Sequence, residues 1–93
     1  MRYIIEFYYK GEVIERREYD DFFIEPQVGD IVNIQFTNPY YHEEGKWWIV
    51  KERRQILFSV EQRTLRQTLM LNIVPDPKDG LWKSDPTYDN YQK

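Results

Sequence analysis

Ile31-Val32-Asn33-Ile34-Gln35-Phe36-Thr37 is the stretch that decides the fold class. Val32, Ile34 and Phe36 alternate with Asn33, Gln35 and Thr37, so an extended chain puts three apolar side chains on one face and three polar ones on the other. Before it, Val28-Gly29-Asp30 reads as a turn that feeds the strand, and after it Asn38-Pro39 ends the run. The loop Tyr40-Tyr41-His42-Glu43-Glu44-Gly45 follows. Residues 46–60 are again strand-like, with Trp48 and Val50 on the core face. Ile56, Phe58 and Val60 share their parity, and the polar stretch 51–55 predicts a bend, bulge or turn between them.

The same period of two runs outward to both ends. Tyr3, Ile5, Phe7 and Tyr9 alternate with more polar residues, Lys10-Gly11-Glu12 makes a turn, and residues 13–19 return as an antiparallel partner. That second strand is charged (Glu15, Arg16, Arg17, Glu18), which suits a sheet edge. Phe22, Phe23 and Ile24 form a short apolar link, and Glu25-Pro26 imposes an extended bend. Leu69, Leu71 and Ile73 mark the last strand, whereas residues 61–67 fit either a hairpin loop or one helical turn. The expected fold is all-β: five to six antiparallel strands in a meander, closed as a small barrel to avoid wet faces and open edges. One domain covers residues 1–75, and a polar, mostly flexible tail covers 76–93. Trp82 in that tail is either a cap over the barrel or an anchor for a partner.

Composition narrows the functional classes. The 93 residues suffice for one core, and aromatics make up 17% of the chain, enough large side chains to fill a thin sheet-based core. Cysteine is absent, which fits a reducing, cytoplasmic setting. No run reaches the roughly 18 apolar residues of a membrane span, and Glu6 interrupts any apolar stretch at the start. The net charge of −3 is uneven: residues 1–50 hold ten acids and five bases, whereas residues 51–74 hold five bases and two acids. Overall acidity works against a general nucleic-acid binder.

Pro26-Gln27-Val28-Gly29-Asp30-Ile31-Val32, together with Trp48-Ile49-Val50, resembles a pattern in small bacterial and phage SH3-like β-barrel proteins. In that pattern a Pro-x-Val-Gly-Asp turn enters one strand and a Trp-x-Val strand returns. The resemblance implies an SH3-like barrel across residues 26–74 and no particular ligand, because such barrels bind peptides, RNA, DNA and modified tails.

Catalytic chemistry has little to draw on. His42 is the one histidine, and Ser59 and Ser84 are the only serines. His42 with Glu43 and Glu44 is read as a solvated loop rather than a metal site, because three or four ligands must converge on a metal. The four glycines stand singly at turns and make no phosphate loop. The expectation is therefore a non-catalytic binding or adaptor domain without cofactor or metal. Tyr40, Tyr41, His42 and Trp47 are its candidate contact residues for a protein partner, with Trp47 either facing outward or packed beneath another segment. The alternative is a nucleic-acid-binding barrel that uses Lys51, Arg53, Arg54, Arg63 and Arg66. Weak homodimerisation through an open strand edge accompanies the first reading.

Overall fold

A computed structural model describes residues 2–21 and 23–90; Met1, Phe22 and the tail residues 91–93 lie outside the described residues. Five strands form one sheet: β1 (Arg2–Tyr9), β2 (Glu12–Tyr19), β3 (Ile31–Asn33), β4 (Trp47–Val60) and β5 (Arg63–Pro75). Their spatial order is β2-β1-β5-β4-β3. The fold is all-β, as expected, but it is not an antiparallel meander. β1 runs parallel to β5, with Arg2 opposite Arg66 and Phe7 opposite Leu71. The cause is the connection from β2 to β3, which carries the chain from one edge of the sheet to the other. The β3-β4-β5 meander then returns β5 alongside β1 in the same direction.

The sheet curls into a half-barrel and does not close. Its two edges, β2 and the chain just after β3, meet through side chains instead of a strand ladder. Arg17 donates to the Gln35 carbonyl at 2.7 Å, and the Thr37 N–H points at the buried Glu15 carboxylate at 3.3 Å. Glu15 and Arg17 also pair with each other. Charged side chains at this edge thus serve as a seam to the chain after β3.

Packing explains why the alternating residues lie where they do. Trp48, Val50, Leu71 and Ile73 are completely buried, and Ile5, Phe7, Ile34, Phe36 and Leu69 complete the inner face. Phe36 and Tyr9 meet the Trp48 ring edge-on, at centroid separations of 5.4 and 5.1 Å. Val32 packs against this cluster from its rim. The strand that begins at Ile31 is shorter than its alternation suggests. Beyond Asn33 the backbone is held singly, Ile34 N–H on the Lys46 carbonyl and Phe36 N–H on His42 Nε2. Burial therefore keeps its period of two after ladder pairing has stopped.

Three irregularities shape β4 and β5, one of them a register shift at Phe58/Ser59 that leaves Leu65 on β5 without a partner on β4. A bulge between Val50 and Glu52 shifts the register, so Arg53, Gln55 and Leu57 take the inner face that Trp48 and Val50 occupied. Ile56 and Phe58 then lie on the outer face, which corrects the expected shared parity with Trp48. The turn between the strands is only two residues, Glu61 and Gln62, both with positive φ (51° and 65°). Residues 61–67 are thus a hairpin turn leading into β5, with no helical turn.

Candidate functional site

The loop after Asn38 is a short 3-10 helix, Pro39–Glu43. Proline at its first position presets φ, and the Asn38 side chain accepts the Tyr40 N–H at 3.0 Å. This geometry turns Tyr41 and His42 back onto Phe36, with ring centroids 5.7 and 6.0 Å away. His42 Nε2 accepts the Phe36 N–H at 3.0 Å, so the imidazole also satisfies backbone. Tyr40 stacks edge-on against Tyr41 but leaves most of its own ring in solvent.

Trp47 is separated from this group by its parity. Trp48 points inward, and Trp47 points to the far side, where the chain beyond β5 folds over it. Residues 76–90 form successive turns anchored by Asp76. The Asp76 N–H donates to the Trp47 carbonyl, while its buried carboxylate accepts the N–H groups of Lys78 and Gly80 at 3.0 and 2.7 Å. Gly80 rests so closely on the indole that a Cβ there would lie 2.5 Å from the ring. Trp47, Ile31, Leu81, Trp82 and Tyr88 border a groove of about 510 Å³, and Trp82 stands 79% exposed on its rim. The four proposed contact residues are therefore not one exposed cluster: Tyr40 and His42 stay open, His42 and Tyr41 also lie against Phe36, and half-buried Trp47 lies under the tail.

The basic candidates are divided by the bulge. Lys51 is exposed at the bulge itself. Arg53 lies on the inner face, where it pairs with Glu25 and donates to the Pro26 carbonyl. Glu25 also accepts hydrogen bonds from Gln55 and Gln67, which ties the β2–β3 crossing to the sheet. Arg54 and Arg66 belong to the outer face, with Arg66 5.5 Å over the Phe58 ring, and Arg63 sits beside the turn. A small cleft of about 200 Å³ runs past Arg54, Tyr8, Met70 and Asn72, with Glu52 on its wall. The five bases do not converge on one track.

The most exposed apolar surface is elsewhere, on the distal half of the β4–β5 hairpin. Among the described residues, β3 pairs with β4 at residues 47–49 only, and the β1 ladder on β5 ends at Arg66. From there the two strands run on as an arm, and the molecule measures 55 × 28 × 22 Å. Ile56 (49%), Leu57 (59%) and Phe58 (48%) remain exposed, along with Val60 and Leu65. Read along the chain, Ile56-Leu57-Phe58 looks like a strand buried on both faces. Here both faces are open, and the signal available in advance was an apolar run next to an unassigned turn.

Comparison with protein-family models, with characterised proteins and with solved structures finds no match to this chain. Among the described residues, no helix is long and apolar enough to cross a membrane.

Proposed function

We propose that this chain is a non-catalytic protein-binding domain whose main contact surface is the β4–β5 arm. The observation that supports it most is the group of exposed apolar residues Ile56, Leu57, Phe58, Val60 and Leu65 on and beside a β4 edge that no strand covers among the described residues. Together these leave roughly 400 Å² of apolar surface open, divided between Leu57 on the inner face and Ile56 and Phe58 on the outer one, and exposed apolar surface marks interaction sites. Tyr40 is an accessory contact at the other end of β4. The curled sheet is read as an SH3-like small barrel, supported by the Gly29 turn into β3 and the Trp48–Val50 return. The cysteine-free chain suits a cytoplasmic partner.

The nucleic-acid reading is the weaker one, because Arg53 is engaged by Glu25 and the remaining bases divide between faces. Immobilised full-length chain tests both. Partner proteins held by wild type and by Tyr40→Ala, but lost by Leu57→Asp/Phe58→Asp, support the arm. Equal retention by the double variant, with an unchanged circular dichroism spectrum, overturns it. Salt-sensitive capture of an oligonucleotide would transfer support to the basic reading.

A further inference from the structure

We infer that the arm's partner is a second copy of this chain, paired antiparallel along the outer edge of β4 with Leu57 on the two-fold axis. The inference rests on the arm being the contact surface. Its basis is the open edge. Asp30 and Val50 make the last backbone bonds on the β3 side, Val50 N–H to the Asp30 carbonyl at 3.0 Å and Gly29 N–H to the Val50 carbonyl at 2.8 Å. Among the described residues, no backbone hydrogen bond reaches that edge of β4 beyond Val50. After the bulge the alternation directs the N–H and C=O groups of Arg53, Gln55, Leu57 and Ser59 away from β5. This ladder of unpaired donors and acceptors ends at the Glu61-Gln62 turn. Such an edge is a template for another strand: β4 has no proline, and the register shift at Phe58/Ser59 puts its extra residue, Leu65, on β5 and not on the open edge.

The sequence of the edge selects the register. Its free part runs from Arg53 to Glu61, so the two-fold pairing of greatest overlap is centred on Leu57. In that register Leu57 faces Leu57 of the second copy on the inner side, and Ile56 faces Phe58 of the second copy on the outer side, twice by symmetry. Arg53, already paired with Glu25, comes opposite Glu61 of the second copy, Arg54 comes opposite Val60, and no like charges face each other. Centring on Ile56 would set Arg54 against Phe58, and centring on Gln55 would set Arg53 against Leu57 and Arg54 against Ile56, so each would lose the Ile56–Phe58 and Leu57–Leu57 contacts. The partner's turn also stops before the Asp30–Val50 bonds, so β3 need not move. The two arms expose roughly 800 Å² of apolar surface between them, below the roughly 1,000 Å² that a stable interface buries, so the dimer is a weak one that dissociates on dilution.

Sedimentation equilibrium of the full chain from micromolar to millimolar concentration tests this, alongside flotation with vesicles of three parts phosphatidylcholine to one part phosphatidylserine. Wild type should rise to twice the monomer mass and stay off the vesicles. Leu57→Asp opposes two carboxylates on the axis and should weaken association about a hundredfold, with thermal stability nearly unchanged. Leu57→Cys, in a chain with no other cysteine, should cross-link with a short bismaleimide, and Ser84→Cys should not. A monomer throughout, a dimer indifferent to Leu57→Asp, or vesicle binding by a monomer would each overturn the inference. Loss of partner capture by the double arm variant in a monomeric protein would leave the broader protein-binding reading standing.

Discussion

Replacing Gly80 by alanine measures how firmly the tail is seated on Trp47. The methyl group would stand 2.5 Å from Cγ and Cδ2 of the indole and 2.6 Å from Cδ1, closer than any real Cβ contact. Gly80 has φ of +81°, so alanine also meets the left-handed penalty of about 1–2 kcal/mol. Overpacking against an immobile ring adds about 1–3 kcal/mol. Gly11 is the internal control, because it has the same φ of +81° and nothing within 4 Å of its added Cβ. Gly11→Ala should therefore show the backbone term alone, and the difference between the variants isolates the clash. The assay is urea denaturation together with the three assigned indole N–H resonances. Gly80→Ala should lose about 1–3 kcal/mol more than Gly11→Ala. It should also shift the Trp47 signal while leaving that of Trp48, which is wholly buried, in place. Equal losses in the two variants, or an unmoved Trp47 resonance, would refute the docking of the tail.

The same seat depends on Asp76, and Asp76→Ala strips the acceptor from two backbone N–H groups. It should cost about 1–3 kcal/mol by denaturation, whereas Asp89→Ala on the exposed tail should cost next to nothing. At the arm's tip, Glu61→Asn with Gln62→Gly installs residues suited to positive φ at both positions. The double variant should be about 1 kcal/mol more stable in the same assay. On the outer face of β1 and β2, the Arg16 guanidinium, followed by Arg2, holds the Glu18 carboxyl below the usual carboxylate range. Its small stabilising effect is thus complete above the ordinary carboxylate pKa and disappears as pH falls through the lowered one. A carboxyl NMR titration should find the Glu18 midpoint low in wild type and moved upward in Arg16→Ala.

Much of the strand layout was legible in the sequence because burial follows a period of two. Ile5, Phe7, Ile34, Phe36, Trp48, Val50, Leu69, Leu71 and Ile73 all reach the core from alternating positions. The first hairpin was legible from Lys10-Gly11, where glycine supplies positive φ. Long-range pairing was not legible. Nothing local to residues 20–30 reveals that they cross the sheet, and the parallel β1–β5 ladder follows from that crossing alone. The bulge at Lys51 was only one of several explanations for a polar stretch, yet it decides which face every later β4 residue takes. Glu61-Gln62 conceals a tight turn because neither residue is of the type such turns favour.

The candidate site was less legible still. Tyr41 and His42 looked like contact residues because a loop of aromatics suggests recognition, whereas Phe36 uses both rings for packing and the imidazole for its backbone N–H. Whether Trp47 was covered depended on Gly80, more than thirty residues away. The arm escaped notice because the open edge of β4 beyond Val50 comes from where β3 ends, a property of the neighbour and not of the arm's own sequence.

The arm-to-arm contact is tested most directly by isotope-filtered NOE spectroscopy on a mixture of ¹³C-labelled and unlabelled chain. Filtering removes the contacts within one strand and keeps those between copies. Cross-peaks between Ile56 methyls and the Phe58 ring, and between Leu57 methyls of the two copies, are the expected result. Filtered spectra empty of arm resonances at millimolar concentration, or filled with cross-peaks from another surface such as Tyr40 or Trp82, would contradict it.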